Sequence, residues 1–125
     1  MPPLILLVDD DVLIRSLGKE LLEHLGYQVE VASDGQEALE IFRRLGRVDL
    51  VILDYYLPGR DGLQVLQDLR ALDAQVRVLV ASGFFPAEDV TRIKELGAVG
   101  FIYKPYRVTE LEGRIRLVLQ GMSGF

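Results

Sequence analysis

Leu50-Val51-Ile52-Leu53-Asp54-Tyr55-Tyr56-Leu57-Pro58-Gly59 runs from an apolar core segment through an acid into a turn. Four consecutive apolar residues suit a strand covered on both faces, and Pro58-Gly59 marks the turn that follows. Asp54 therefore stands at the carboxyl end of a buried strand, the edge along which open α/β sheets hold their ligands. A second apolar run, Leu4-Ile5-Leu6-Leu7-Val8, ends the same way, in Asp9-Asp10-Asp11. Two strand ends that deliver acid to one edge point to a metal-dependent reaction centre.

Outward from these runs, short apolar stretches alternate with segments of helical period, with no internal linker. After Leu4–Val8, the residues Val12, Leu13, Leu17, Leu21, Leu22 and Leu25 recur at helical spacing until Gly26. Residues 28–31 form a shorter strand whose polar Gln28 and Glu30 suit a sheet edge. Ser33 or Asp34 caps the next helix, whose stripe of Ala38, Leu39, Ile41, Phe42 and Leu45 stops at Gly46. Asp61-Gly62 opens a helix with Leu63, Leu66 and Leu69 inward. Residues 76–81 form a fourth strand, and Pro86 stands near the start of a helix running to about Leu96. Residues 100–103 are the fifth strand, and the last helix runs from Val108 to about Leu119. Gly113 within that helix costs roughly 1 kcal/mol relative to alanine. Arg107 stands where a capping Asp or Ser would begin it, so an irregular start, or one at Thr109, is expected. Five strands, each followed by a helix, predict an α/β, doubly wound parallel sheet in one domain over residues 1–125. The strands ending at Val8, Leu53 and Ala81 are predicted to be central.

A chain of 125 residues, half of them hydrophobic, can build one proper core. A net charge of −5 argues against direct grip on nucleic acid or an anionic membrane, both of which need a basic face. With no cysteine, disulfide and thiolate chemistry are excluded. No apolar stretch approaches the roughly 18–20 residues that span a bilayer, and Met1-Pro2-Pro3-Leu4 lacks the basic start of a secretory signal. A cytoplasmic protein is expected.

All strand carboxyl ends of a parallel sheet lie along one edge. Collected there are Asp9, Asp10 and Asp11, then Asp54, Ser82 and Lys104. Clustered carboxylates repel and raise one another's pKa unless a cation neutralises them. A hard, oxygen-seeking ion such as Mg²⁺ is the natural solution. Acid nucleophile, metal, hydroxyl and ammonium together suit phosphoryl transfer, in which positioning and charge neutralisation carry the catalysis. Singly, each residue has a bland explanation: Asp11 as a helix cap, Ser82 bonding a nearby backbone group, Lys104 as a solvated lysine. Four such positions on four strands of one sheet are much harder to explain that way.

Val8-Asp9-Asp10, the stretch from Asp54 through Gly62, Ala81-Ser82-Gly83 and Tyr103-Lys104-Pro105-Tyr106 together resemble the receiver domains of two-component response regulators, over essentially the whole chain. The resemblance implies a flavodoxin-like (βα)5 fold with strand order 2-1-3-4-5. It implies a signalling switch rather than an enzyme, taking a phosphoryl group on Asp54 from a histidine kinase or a histidine phosphotransfer protein. Asp9, Asp10, Asp54 and the backbone carbonyl of Tyr56 would hold Mg²⁺. Ser82 and Lys104 would bind phosphoryl oxygens, with the Lys104-Pro105 peptide cis. Phosphorylation would draw Ser82 inward, shift the loop at residues 83–86 and turn the aromatic Phe101. The fourth helix, fifth strand and fifth helix would form the surface for targets, in a monomer or a phosphorylation-dependent dimer. Phe101 lacks the hydroxyl of the tyrosine common at its position, so its bias would come from packing.

The resemblance places Tyr56 and Phe84, both bulky, where water would approach the acyl phosphate, which predicts slow autodephosphorylation. Phe84 and Phe85 adjoin in a loop: either one is buried or both form a partner patch. His24 and the trio Arg43, Arg44 and Arg47 read as favourable charges at helix C-termini. With Phe125 soon after the last helix, no output domain is expected. A nucleotide- or flavin-binding protein of this topology would want a glycine- or hydroxyl-rich phosphate loop after the first strand, where three aspartates stand. An aspartyl phosphatase would want an acid/base Asp at position 56, which is tyrosine. A degenerate receiver that only docks partners is the remaining alternative.

Overall fold

The computed structural model describes residues 2–125; Met1, the first residue of the leader reading, lies outside them. In chain order the elements are β1 (Leu4–Val8), α1 (Val12–His24), β2 (Gln28–Ala32), α2 (Gly35–Leu45) and β3 (Leu50–Asp54). They continue as α3 (Gly62–Leu72), β4 (Val78–Ser82), α4 (Ala87–Glu95), β5 (Gly100–Tyr103) and α5 (Val108–Leu119). The strands form one parallel sheet in the order β2-β1-β3-β4-β5. β1, β3 and β4 are interior, and β2 is an edge, as the sequence predicts.

The unbroken apolar runs are two alternating patterns superposed, because successive strand side chains point to opposite faces. Leu6, Val8, Val51, Leu53, Val78 and Val80 bury on one face, against helices α2, α3 and α4. Ile5, Leu7, Leu50, Ile52, Leu79 and Ala81 bury on the other, against α1 and α5. The registers Ile5↔Leu50 and Ile52↔Leu79 keep each face continuous across the sheet.

Helix ends follow local chemistry. Asp11 caps α1, accepting from Leu13 N at 2.9 Å and Ile14 N at 3.1 Å, and Asp34 and Asp61 cap α2 and α3. Gly46 closes α2 in the left-handed region. α5 begins at Val108 rather than irregularly or at Thr109; Arg107 takes the cap position with no side-chain hydrogen bond, so backbone geometry alone starts the helix.

The predicted inner stripe of α1 needs correction. Val12, Leu13 and Leu17 are exposed, and the face turned to the sheet is Ile14, Gly18, Leu21 and Leu22. Tight packing explains it: a Cβ on Gly18 would stand 2.8 Å from Leu7 and 3.1 Å from the Tyr106 ring. α3 differs mildly, with Val65 fully buried and Leu63 only half-buried. The Phe84–Phe85 pair splits, Phe85 buried and Phe84 exposed. No helix among the described residues is long and apolar enough to cross a membrane.

Candidate functional site at the sheet's carboxyl edge

Strand alternation decides which side chains meet. Asp9 continues β1 on the side of Ile5 and Leu7, Asp54 continues the side of Leu50 and Ile52, and Lys104 that of Ile102. All three therefore turn toward the α1–α5 face. Ser82 and Phe101 have the opposite parity, that of Val80, and belong to the α4 side.

Asp9 is fully buried and Asp54 nearly so, whereas Asp10 is exposed. The Lys104 ammonium donates to Asp9 Oδ2 at 2.9 Å and stands 3.0 Å from Asp54 Oδ2. Backbone amides share the remaining carboxylate oxygens: Asp11 N donates to Asp9 Oδ1 at 2.9 Å and Tyr56 N to Asp54 Oδ1 at 3.2 Å. The Arg15 guanidinium donates to the Asp9 carbonyl at 2.8 Å, fixing α1 to the strand end. The Lys104-Pro105 peptide is cis. Past Asp54 the chain doubles back so closely that a Cβ on Gly62 would stand 2.7 Å from the Asp54 carbonyl oxygen, which restricts that position to glycine.

Burial pushes the Asp54 carboxyl up to about 6, aided by the charge of Asp9 and opposed by Lys104 and the Tyr56 amide. Burial alone would lower the Lys104 ammonium, but hydrogen bonds and attraction from Asp9 and Asp54 outweigh it and raise it. The Tyr106 phenol is also pushed up, by burial and by the same two carboxylates. Its hydroxyl is a buried side-chain polar group without a hydrogen-bond partner among the described residues.

One carboxylate oxygen from each of Asp9, Asp10 and Asp54 lies within 4.8 Å of the others. Three carboxylates against one ammonium leave a formal charge of −2. That charge and the all-oxygen donor set fit a hard divalent cation such as Mg²⁺.

Asp9, Asp10, Asp54 and Lys104 are thus gathered in one pocket. Ser82 ends the neighbouring strand, buried, with its hydroxyl turned into its own loop: it donates to Phe84 O at 3.0 Å and accepts from Phe84 N at 3.3 Å. Tyr56 is 60% exposed and Phe84 69%, so both stand out on the loops that follow Asp54 and Ser82 rather than filling the core. Phe101 is half-buried on the other side of the sheet, packed edge-on to Phe85 at 5.1 Å and Tyr103 at 5.4 Å. His24 is exposed at the end of α1 remote from the Asp11 cap. Arg15 escapes sequence reasoning, since nothing in its spacing marks the strand end it approaches, and Tyr106 stands in the stretch after the fifth strand with nothing to mark its burial beside Gly18.

The family model for the response regulator receiver domain matches residues 5–116. Sporulation initiation phosphotransferase F of Bacillus subtilis is 35% identical over 115 residues, which cover 92% of each chain. The probable transcriptional regulator ycf27 of Cyanophora paradoxa is 39% identical over 116 residues, 93% of this chain but 48% of that protein. The chain spans about half the length of that relative and of the MprA response regulators it also matches. Among solved structures, the CheX–CheY–BeF3–Mg²⁺ complex of Borrelia burgdorferi superposes with a TM-score of 0.90 at 28% identity, covering 94% of this chain and 90% of that one.

Proposed function

From the premise that this chain belongs to the response regulator receiver family, we propose that it is a phosphorylation-controlled switch of two-component signalling, one domain over residues 1–125, with Asp54 as phosphoryl acceptor. The observation that carries it is the Lys104 ammonium bridging Asp9 and Asp54 at 2.9 and 3.0 Å, with Asp10 beside them. The donor is a histidine kinase or a histidine phosphotransfer protein. An Asp54 carboxylate oxygen attacks phosphorus as the bond to the donor nitrogen breaks, and the chain's task is to hold the two in line. Asp9, Asp10, Asp54 and the Tyr56 carbonyl would hold Mg²⁺, which neutralises the charge shared by phosphoryl oxygens and carboxylates. Lys104 takes one phosphoryl oxygen and the Ser82 hydroxyl another.

Ser82 must withdraw its hydroxyl proton from Phe84 O to donate to that oxygen, because the hydroxyl has a single proton and now gives it there. Phe85 follows Phe84 in the chain and touches Tyr55, Phe101 and Tyr103, with ring centroids 5.1–5.8 Å apart. A shift of the loop at residues 83–86 therefore presses on Phe101 and the α4–β5–α5 face by packing, with no hydroxyl on Phe101 needed. Beryllofluoride with Mg²⁺ is expected to move the amide signals of Phe101 and of residues 83–86; unmoved signals would remove this part of the scheme.

Incubation with a small phosphodonor and Mg²⁺, followed by intact-mass measurement, tests the acceptor. The native chain should gain one phosphoryl group and Asp54→Asn none. Equal labelling of both would rule Asp54 out.

A further inference from the structure

β5 is an edge strand of the sheet, and edge strands leave backbone groups unpaired for other chains to find. Here the edge is occupied by the chain itself. After α5, a Schellman turn closes the helix: Gly121 N bonds Val118 O at 3.0 Å, Met122 N bonds Leu117 O at 2.9 Å, and Gly121 has φ 81°. The turn sends the chain back along β5, where Gly124 pairs with Gly100 in parallel. Gly124 N donates to Val99 O at 2.7 Å, and Phe101 N donates to Gly124 O at 3.4 Å.

The seat is built for this segment. A Cβ on Gly100 would come within 2.6 Å of the Gly124 backbone, and one on Gly124 within 2.8 Å of Val118, so the pairing needs a glycine on each side. Arg114 clamps it, donating to the carbonyls of both Phe101 and Gly124 while its guanidinium lies 4.7 Å over the Phe101 ring. Phe125 then rests on Phe101, ring centroids 6.0 Å apart, with the Lys94 ammonium 5.6 Å over its own ring. One aromatic side chain thus joins α4, β5 and the α5 clamp.

The geometry points to residues 123–125 as a resident ligand of the β5 edge, an intramolecular strand that a partner's extended peptide bearing glycine followed by an aromatic residue must displace. Strand addition of this kind draws affinity from main-chain hydrogen bonds and selectivity from the side-chain seats. The seats here accept no side chain at the paired position and an aromatic ring at the next. Displacement is feasible because the segment makes only two ladder hydrogen bonds. Its tether sets an effective concentration on the order of millimolar, so a partner displaces it once partner concentration over partner Kd exceeds that figure over the segment's own Kd. The assignment stands whether or not Asp54 accepts a phosphoryl group.

The test uses the full chain with Gly124→Val, whose added side chain should eject the strand, and a fluorescent peptide of sequence Gly-Met-Ser-Gly-Phe, that of residues 121–125. Hydrogen exchange of the Phe101 amide should speed up at least tenfold in Gly124→Val while β3 amides keep their protection. The peptide should bind Gly124→Val saturably, restore Phe101 protection, and bind the native chain at least tenfold more weakly. Its Gly→Val counterpart should not bind. Phe125→Ala, which adds no bulk, gives a milder version of the same effects if Gly124→Val loses β3 protection. Unchanged Phe101 exchange in both variants, or no peptide binding to a folded variant, would overturn the assignment. Peptide-independent dimerisation that protects Phe101 would give the edge to a second copy and overturn it equally.

Discussion

Asp54 is held where its charge is costly, and that cost is readable in a titration. Its folded pKa of about 6 lies above the ordinary 3.8, so between those values the folded chain keeps a proton that the unfolded chain has lost. The unfolded state then binds fewer protons, and stability falls as pH rises from about 4 through about 6. In metal-free buffer, Asp54→Asn should match the native chain below about pH 4 and exceed its stability by about 3 kcal/mol at pH 7. Urea denaturation across that range measures the gap, and a gap that ignores pH would show that burial of the charge is not its cause. Tyr56 and Phe84 make a second residue-scale case. Their exposed rings stand on the loops that follow Asp54 and Ser82, where they can screen an acyl phosphate from water. The phosphorylated native chain should outlast Tyr56→Asn/Phe84→Glu by at least several-fold in half-life; equal lifetimes would show that the rings do not shield the bond.

At the scale of elements, α1 shows how a helix is rotated by what it lacks. Counting apolar residues selects Val12, Leu13 and Leu17, yet those are exposed and the stripe through Gly18 faces the sheet. The absent side chain lets α1 close on Leu7 and Tyr106, so burial here rewards smallness rather than hydrophobicity. Gly18→Ala should therefore destabilise the fold by about 1–3 kcal/mol, although alanine is the better helix former. Stabilisation in a urea titration would mean that Leu7 and Tyr106 yield freely. The strands are more legible, since the apolar runs Leu4–Val8, Leu50–Leu53 and residues 76–81 are covered on both faces and need no phase, although β4 itself begins at Val78. The last helix was placed at Val108 by backbone alone, where the missing cap at Arg107 suggested a later start.

For the whole molecule, the acidic edge couples stability to a cation. Mg²⁺ that binds only the folded chain should stabilise it by about 2.7 kcal/mol at roughly a hundredfold excess over Kd, raising Tm by roughly 8 °C. Asp10→Asn should lose most of that rise while leaving metal-free Tm nearly unchanged, because Asp10 is exposed; an undiminished rise in differential scanning calorimetry would place the cation elsewhere. The layering, the edge at which Asp9, Asp10, Asp54, Ser82 and Lys104 fall, and the family are all legible in the amino-acid order, because apolar runs and the residues that end them are local patterns. It took the folded arrangement to bring Lys104 between Asp9 and Asp54, turn Ser82 onto its own loop, set Arg15 on the Asp9 carbonyl, bury Tyr106 against Gly18, and close the β5 edge with Gly124 and Phe125. Those outcomes depend on strand register, on which face a side chain takes, and on contacts between residues far apart in the chain, none of which leaves a period in the sequence.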